Sequence, residues 1–196
     1  MAKKTLKGGA LLSPLPPTMV TCGDMENANI ITIGWTGILN TAPPKTYISV
    51  RPTRHSYNII KEKGEFIINL TPARLAKEAD YCGIYTGKKV NKFEKCKLTK
   101  VKGTEVDCPM IEECPISIEC RVTDIIPLGS HDMFMADILC VNVDEDLFDK
   151  DGKMRFDKAD LIAYAHGEYF QLGKKIGTFG FSTKKKKKKS HPIKAK

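Results

Sequence analysis

Two β-branched runs separated by a proline turn constrain the fold of this chain more than any other feature of its sequence. The first, "NIITIGWTGIL", begins at Asn29, and the second, "TYISVR", begins at Thr46. The segment between them, "NTAPPK", contains two consecutive prolines, which interrupt strands and favour turns. The two runs therefore predict two strands joined by a short connection.

Later segments continue this pattern with few helices between the strands. The stretch "SYNIIKEKG" predicts a short helix that ends at Gly64, and "EFIINL" predicts a buried strand after it. Residues 72–96 begin with helical spacing and then break into a basic loop that carries Lys92. The apolar runs in residues 114–129 and 132–148 predict strands joined by a turn, whereas residues 157–182 predict a short helical patch and an irregular segment rich in glycine.

The order of these elements indicates the fold class. A chain of 196 residues fits one domain of ordinary size. Many short strands, with one or two inserted helices and no regular alternation of strand and helix, favour a closed antiparallel sheet over a doubly wound parallel fold. We therefore predict one mainly β domain over residues 1–182, a Greek-key-like antiparallel β-barrel with a few helices.

The net charge of +9 belongs to the C-terminal end of the chain. Residues 183–196, "TKKKKKKSHPIKAK", hold eight lysines and no acidic residue, and subtracting these eight charges leaves +1 for residues 1–182. Charges at this density repel one another and bury little apolar surface, which predicts a disordered tail. The alternative is a tether for nucleic acid or anionic lipid. The nearly neutral body itself predicts neither specific nucleic-acid binding nor membrane association.

Other sequence features argue against several classes of protein. No apolar run approaches the roughly 18 residues of a membrane span, and the first residues lack the apolar core of a signal peptide, so we expect a cytoplasmic protein. Seven cysteines without a C-x-x-C pair indicate reduced thiols rather than a disulfide scaffold or a metal site. No G-x-G-x-x-G follows a strand, so we expect no separate dinucleotide-binding domain.

Two arginines and two hydroxyl residues lie where the second predicted strand ends. Arg51, Thr53, Arg54 and Ser56 follow "TYISV" directly. Guanidinium groups form charge-assisted hydrogen bonds with phosphate or carboxylate, and a helix that begins at Ser56 adds free backbone N–H groups. The pattern therefore predicts a phosphate site. The alternative is that both arginines are surface residues and that Ser56 only caps the helix.

The stretch "TIGWTG" has the composition of a site for a flat ring. It contains Thr32, Gly34, Trp35 and Thr36, and Trp35 is the only tryptophan of the chain. Glycine permits close approach of a flat ligand, while threonine and backbone amides can form hydrogen bonds with the edge of a heteroaromatic ring. The alternative is that Trp35 is an ordinary core aromatic. A ring site one hairpin away from a phosphate site predicts a phosphorylated aromatic cofactor.

The succession of these segments resembles the flavin reductase-like, FMN-binding split-barrel family, in its flavoredoxin branch. The resemblance is carried by residues 29–70. It extends to "PLPPTMVT", "TGKKVNKFE", "GSHDMFMADI" and "YFQLGKKIGTFGFS", and so covers nearly all of the chain before the lysine tail. It implies a homodimeric split barrel that holds FMN noncovalently.

The resemblance also implies roles for individual residues. The FMN phosphate would be held by Arg51, Arg54 and Ser56, with the Thr53 hydroxyl as a further donor. The isoalloxazine ring and ribityl chain would be lined by Asn29, Thr32, Gly34, Trp35 and Thr36. Lys92 from the basic loop would approach the flavin or its phosphate. Apart from the resemblance, a histidine near a flavin can assist proton movement or contact a dinucleotide, because its ordinary pKa is close to neutrality, and His131 in "GSHDMF" is the candidate; the alternative is a turn histidine bonded to the backbone.

Three functions follow from this reading. In the first, an FMN-dependent oxidoreductase takes a hydride from NAD(P)H onto the flavin and passes electrons to an acceptor or to free flavin. In the second, a flavoredoxin-type electron carrier is reduced by a partner protein and has no reductase turnover. The third is a flavin- or nucleotide-binding module with a tail for polyanions.

Overall fold

The computed structural model describes residues 1–183, so the predicted tail over residues 183–196 lies, except for Thr183, outside the described residues. The strands are β1 (Thr18–Cys22), β2 (Asn29–Ile33), β3 (Thr36–Thr41), β4 (Pro44–Val50), β5 (Glu65–Asn69), β6 (Lys100–Lys102), β7 (Pro109–Ile111), β8 (Ile116–Pro127), β9 (Asp132–Val143), β10 (Ile162–Ala165) and β11 (Glu168–Gln171). The α-helices in this part of the chain are α1 (His55–Lys63), α2 (Ala76–Ile84) and α3 (Lys92–Cys96). None of them is long and apolar enough to cross a membrane.

Seven strands form one sheet in the order β2-β1-β5-β8-β9-β4-β3. Every pairing within it is antiparallel. Several neighbours, such as β1 with β5 and β9 with β4, are distant in sequence, which is a Greek-key-like arrangement. The predicted mainly β, antiparallel fold with a few helices is thereby confirmed.

The sheet closes because its two edge strands follow each other in the chain. β2 and β3 stand at opposite ends of the strand order, yet only Gly34 and Trp35 separate them in sequence. The backbone N–H of Ser49 in β4 donates to the carbonyl oxygen of Trp35 at 2.9 Å and holds this link in place. The sheet must therefore curl until its edges meet. The single strand predicted for residues 29–39 is wrong in this respect, because the run divides at Gly34 into two strands.

The interior of the barrel holds the largest cluster of buried apolar side chains. Val20, Ile48, Phe66 and Phe134 are at most marginally accessible to solvent and pack together there. Helix α1 adds Ile60 to the same cluster, so the helix covers interior side chains. Burial of this kind contributes about 25 cal/mol for each Å² of apolar surface removed from water.

Helices α2 and α3 cover the outer face of β1 and β2. Side chains alternate between the two faces of a strand, so Met19 and Ile30 point away from the barrel interior. They pack with Ala79 of α2 and Phe93 of α3 in a second apolar cluster. Both faces of β2 are therefore covered, and the helices, the loop between them and the end of β4 converge on the same strand.

Helix α1 follows its prediction closely. It begins at His55 rather than at Ser56, and its C-cap is Gly64, as the sequence predicts. The φ angle of Gly64 is 70°, a left-handed conformation that glycine adopts without steric strain. Its backbone N–H donates to the carbonyl oxygen of Ile60 at 2.8 Å, which satisfies one of the last carbonyls of the helix.

Two other predictions of local structure are wrong. Lys92 does not lie on a loop, because it is the first residue of α3, where Asn91 caps the helix by accepting a hydrogen bond from the backbone N–H of Glu94. Residues 157–182 form the hairpin β10–β11 after a single 3-10 turn, where a helical patch is predicted. The turn of this hairpin is made by His166 and Gly167, which both have positive φ angles, 49° and 97°.

Candidate functional site

Two adjoining clefts open beside β2 and the end of β4. Ile31, Arg51 and Arg54 line both of them. The first, which we call the tryptophan cleft, has a volume of about 370 Å³ and is further lined by Thr32, Gly34, Trp35, Ser49 and His131. The second, which we call the lysine cleft, has a volume of about 210 Å³ and is further lined by Asn29, Thr53, His55, Tyr85, Gly87 and Lys92. The clefts therefore form one groove with two chemically different ends.

Most of the predicted site residues come together in this groove. The clefts bring together Asn29, Thr32, Gly34, Trp35, Arg51, Thr53, Arg54, Lys92 and His131. Thr36 and Ser56 line neither cleft. The Thr36 hydroxyl donates to the carbonyl oxygen of Tyr47 at 2.6 Å and thereby joins β3 to β4. Ser56 is buried beneath the lysine cleft, where its side chain supports Asn29.

The two arginines occupy the turn between β4 and α1. β4 ends at Val50, and the backbone N–H of Arg54 donates to the carbonyl oxygen of Arg51 at 3.0 Å, which closes the turn. Arg54 is the N-cap of α1 and makes no side-chain cap. Neither guanidinium forms a salt bridge within residues 1–183. Both therefore remain available to an anion in the groove.

Lys92 is a buried cation at the base of the lysine cleft. The residue is 4% exposed, and its Nζ donates to the carbonyl oxygens of Ile30 at 2.6 Å and Cys82 at 2.8 Å. An ammonium group has three protons, and within the described part of the chain the third has no acceptor and the charge no acidic partner. Burial, followed by the positive charge of Arg54, lowers the pKa of Lys92, while nearby thiols oppose this shift.

Asn29 is held in the lysine cleft from two sides. Its Nδ2 donates to the Ser56 Oγ at 2.7 Å, which joins the start of β2 to α1. The backbone of Gly87, in the loop between α2 and α3, lies so close that a Cβ there would stand 2.1 Å from Asn29 Oδ1 and 2.8 Å from His55 Cδ2. Only glycine fits this position without displacing its neighbours. The loop is therefore packed directly onto the cleft.

The tryptophan cleft is dominated by two rings. Trp35 is 41% exposed, which excludes the interpretation of an ordinary core aromatic. The His131 ring lies 4.4 Å from it between centroids, tilted by 42°. The His131 Nε2 accepts a hydrogen bond from Arg51 Nε at 3.4 Å, and the Nδ1 stands 3.0 Å from the Ser130 Oγ. Both ring nitrogens are thus engaged within the protein.

The surroundings of both histidines in the groove favour the neutral, unprotonated ring. Burial lowers the pKa of His131, and the charges of Arg51 and Arg54 lower it further. Burial also lowers the pKa of His55, with Lys88 and Lys92 as the next causes. In each case the neighbouring charges are positive, so the potential in the groove favours an anion over an additional proton.

Thr32 and Gly34 contribute to the shape of the groove more than to its hydrogen-bonding groups. The Thr32 hydroxyl donates its proton to the carbonyl oxygen of Ala79 in α2, so its oxygen can act toward a ligand only as an acceptor. Gly34 lies at the break between β2 and β3, where no side chain narrows the cleft. Further polar atoms for a ring edge in this cleft are those of the backbone, of Ser49 and of the two arginines.

Several residues of the groove were not predicted from the sequence. His55, Tyr85 and Gly87 line the lysine cleft, and Ser49 lines the tryptophan cleft. His55 and Ser49 lie inside the stretch "SVRPTRHSY" around the two arginines, so proximity in sequence is a signal that could have found them. Gly87 lies in "TGKKVNKFE", one of the segments that carry the family resemblance, whereas Tyr85 has no such signal and reaches the cleft only because the α2–α3 loop packs on β2.

The groove is positive throughout and lacks acidic groups. Among residues 1–183, no aspartate or glutamate lines either cleft. Within residues 1–183, no three His, Cys, Asp or Glu side chains are grouped in a way that would hold a metal ion. The lysine cleft therefore suits a phosphate-sized anion, while the tryptophan cleft offers a flat, partly aromatic surface.

Comparisons with known proteins agree with this chemistry. The sequence matches the model of the family described as the flavin reductase like domain over residues 11–173. It is 35% identical over 159 residues to an uncharacterised protein of Archaeoglobus fulgidus, which covers 81% of this chain and 88% of that one. It is 25% identical over 138 residues to an NADPH-flavin oxidoreductase of Streptomyces viridifaciens, covering 69% and 70% of the two chains. The solved structure of the flavoredoxin of Desulfovibrio vulgaris (Miyazaki F) matches with a TM-score of 0.86 and 32% identity, covering 93% of this chain and 100% of that one.

Proposed function

This chain belongs to the flavin reductase-like domain family, and on that premise we propose that it binds FMN and passes electrons from NAD(P)H through FMN to an acceptor or to free flavin. The observation that carries the proposal is the buried ammonium of Lys92, which faces the lysine cleft without an acidic partner among the described residues. A buried charge without a counter-ion is destabilising unless a ligand supplies one.

The lysine cleft fits the phosphate of FMN. Arg51 and Arg54 supply guanidinium donors, Thr53 supplies a hydroxyl, and Lys92 has one proton left for a phosphate oxygen. Ser56 acts indirectly in this proposal, because its hydroxyl accepts a hydrogen bond from Asn29 and fixes the amide at the rim of the cleft. Charge-assisted hydrogen bonds of this kind contribute on the order of 1.5 to 3 kcal/mol each.

The tryptophan cleft fits the isoalloxazine ring. Gly34 leaves room for a flat ring beside the backbone, and the exposed face of Trp35 provides an aromatic contact. Thr36 contributes by holding β3 against β4 rather than by contact with the ring. When bound, FMN supplies the capacity to accept a hydride and to release one or two electrons.

His131 is proposed to position Arg51 rather than to transfer protons. A proton-transfer group needs a ring nitrogen that reaches the reacting atom, whereas both nitrogens of His131 are engaged by Arg51 and Ser130. Because its pKa is lowered by burial and by two arginines, the ring is disposed to be neutral, and Nε2 then accepts the hydrogen bond from Arg51. His131 thereby fixes the guanidinium between the two clefts.

A second function is favoured by one comparison. The flavoredoxin of Desulfovibrio vulgaris is matched over its whole length at 32% identity. This likeness supports an FMN electron carrier that a partner protein reduces and that has no reductase turnover of its own. The likeness to an NADPH-flavin oxidoreductase supports the first function.

The experiment that separates these functions is an anaerobic absorption titration of the purified protein. Flavin bands that bleach rapidly on addition of NADH or NADPH support the reductase. Bands that stay oxidised with both nucleotides, yet bleach with dithionite, support the carrier. Protein that has no flavin bands and takes up no added FMN contradicts both, and leaves a nucleotide-binding module.

We also propose that the chain forms a homodimer, as its resemblance to the family implies. β3 exposes Ile38 and Leu39, and the segment after β11 exposes Ile176 and Phe179 almost completely. We expect these side chains to pack against the partner protomer, because a contiguous exposed apolar surface is typical of a protein interface. Light scattering should give about twice the chain mass of 21.8 kDa, and a monomeric mass would contradict the proposal. Cytoplasmic location stays a prediction that cell fractionation tests.

A further inference from the structure

Two thiols face each other beneath the lysine cleft. The Cys82 Sγ in α2 and the Cys96 Sγ at the end of α3 are 4.0 Å apart. All seven cysteines are free, and among residues 1–183 this is the one pair of thiols within hydrogen-bonding geometry of each other. Cys82 is buried at 1% exposure, whereas Cys96 is only half-buried. A reagent from solution therefore meets Cys96 first.

Two charged side chains surround this thiol pair. Glu78 lies one helical turn before Cys82 on α2, and its Oε2 is buried without a hydrogen-bond partner in the described structure. Burial is the main cause that raises the pKa of both thiols, the negative charge of Glu78 raises it further, and the positive charge of Lys92 opposes the shift. The sequence positions of the thiols, fourteen residues apart, gave no sign of this pairing.

We propose that Cys82 and Cys96 form a second two-electron redox centre, a dithiol that a small disulfide compound oxidises to an intramolecular disulfide. The Cys96 thiol loses its proton, and its sulfur attacks one sulfur of the compound, whose S–S bond breaks. A mixed disulfide forms, and the first thiolate leaves and takes up a proton. The Cys82 sulfur then loses its proton and attacks the Cys96 sulfur, and the second thiolate leaves and is protonated. Two electrons and two protons have passed to the compound, which becomes two thiols.

The geometry requires only a small movement. A disulfide bond is about 2.05 Å long, so the sulfur atoms must approach by roughly 2 Å from their present separation of 4.0 Å. α3 has only five residues and is joined to α2 by the loop over residues 85–91. A short helix that follows such a loop adjusts more easily than a barrel strand does. The pair also adjoins the proposed phosphate site, since Lys92 Nζ donates to the Cys82 carbonyl oxygen.

The test is a thiol count combined with peptide mapping. The fully reduced chain is freed of reductant, incubated with oxidised glutathione at mildly alkaline pH, quenched in acid, alkylated and digested. We expect the loss of two of its seven thiols, a cross-linked peptide that joins Cys82 to Cys96, and recovery of both thiols with dithiothreitol. Seven thiols after prolonged incubation, or a cross-link that involves another cysteine or a second chain, would overturn the proposal. The outcome does not depend on whether flavin binds.

Three variants sharpen this test. Cys82→Ala removes the resolving thiol, so glutathione should remain attached at Cys96. Cys96→Ala removes the attacking thiol, so all its remaining thiols should persist. Cys108→Ala, a buried cysteine outside the pair, should still lose two thiols as the wild type does. If Cys82→Ala does not fold, the wild-type map and Cys96→Ala still decide the outcome, because a cross-link without Cys96 would contradict the proposal.

Discussion

Lys92 shows how one residue connects the stability of this fold with its proposed ligand. Its ammonium is buried among backbone carbonyls, which compensate only part of the hydration that the charge has lost. A bound phosphate would complete the set of acceptors and supply the missing negative charge. The free protein is then expected to be less stable than the FMN complex by the linkage between binding and folding.

The first prediction concerns Lys92→Met. Methionine occupies a similar volume without the charge, so the stability of the free protein should stay the same or rise. The FMN dissociation constant should rise by roughly 10- to 150-fold, which corresponds to the loss of one charge-assisted hydrogen bond of about 1.5 to 3 kcal/mol. The measurements are a titration of flavin fluorescence and a thermal melt followed by circular dichroism.

Lys100→Met is the matched control for this variant. Lys100 also donates from Nζ to a backbone carbonyl, that of Met25, but it lies outside both clefts. Its replacement should leave the FMN affinity unchanged. Equal affinity in Lys92→Met and the wild type would show that the phosphate binds elsewhere.

The second prediction concerns His55 and His131. Their pKa values are lowered in the folded state, mainly by burial, whereas in the unfolded chain each takes up a proton near pH 6.5. Below that pH the unfolded state binds more protons than the folded state, so the free energy of unfolding should fall as the pH falls from about 7.5 to about 5.5. The effect should be small, because both rings keep contact with water.

Urea denaturation at several pH values measures this effect. The double variant His55→Gln/His131→Gln should show a flatter dependence of the midpoint on pH over the same range. His166→Asn is the control, since His166 is exposed in the β10–β11 turn and lines neither cleft. A double variant with the wild-type slope would assign the pH dependence to other groups.

At the residue scale, the sequence predicted which charged residues line the groove better than it predicted their burial and hydrogen-bond partners. Arg51, Thr53 and Arg54 line the groove as expected, because residues next to one another at a strand end share one location. The hydroxyls of Ser56 and Thr36 instead form hydrogen bonds within the protein, Ser56 with Asn29 and Thr36 with the carbonyl oxygen of Tyr47. The sequence does not predict this, because the orientation of a hydroxyl depends on contacts with distant segments. Lys92 lines the groove, but its burial was not foreseeable from a basic, glycine-containing stretch.

At the scale of elements, the hydrophobic pattern predicted where strands exist but not how they divide. The β-branched run from Asn29 reads as one strand, because nothing in its periodicity marks the break at Gly34. The break follows from pairing, since β2 bonds to β1 and β3 bonds to β4. Residues 162–171 were missed as a hairpin because His166 supplies a positive φ angle more often found in glycine or asparagine.

The third prediction belongs to the α2–α3 loop and concerns Gly87→Ala. The new Cβ would stand 2.1 Å from Asn29 Oδ1, so the loop or the asparagine must move and the Asn29–Ser56 hydrogen bond should break. We expect the free energy of unfolding to fall by about 1 to 3 kcal/mol, as in other overpacked sites, together with weaker FMN binding. Chemical denaturation and flavin titration measure the two effects.

Gly173→Ala is the control for the loop variant. A Cβ at Gly173 meets no atom within 4 Å, so neither stability nor FMN affinity should change beyond experimental error. Wild-type behaviour of Gly87→Ala would mean that the loop is not packed on the cleft as the structure describes.

At the scale of the whole molecule, barrel closure assembles the groove from segments that are distant in sequence. The end of β4 meets the break between β2 and β3 because the two edges of the sheet join there. The α2–α3 loop reaches the same place because α2 packs on β2. The fold class was therefore predictable from the strand content of the sequence. The position of the groove was not, because it depends on closure of the sheet, which no local sequence pattern specifies.

The last prediction concerns the lysine tail and the division of the chain into a body and a tail. Removing residues 184–196 deletes eight lysines and lowers the net charge from +9 to +1. Every residue proposed to hold FMN lies in residues 29–131, and charges in water are screened within roughly 8 Å at physiological salt. The truncated chain should therefore bind FMN with the affinity of the full chain, while its retention on a heparin column should fall strongly.

A second variant separates charge from length in this test. Replacing the eight tail lysines by glutamine keeps the length and should reproduce the weak retention of the truncated chain, because retention depends on the number of counter-ions released from the polyanion. Strong retention of either variant would place the polyanion contact on the body, where several exposed cations, among them Arg51, Arg54 and Lys88, have no acidic partner among residues 1–183. Loss of FMN from both variants would instead show that the tail charges act on the groove, and the one-domain boundary at residue 182 would then have to move toward the C-terminus.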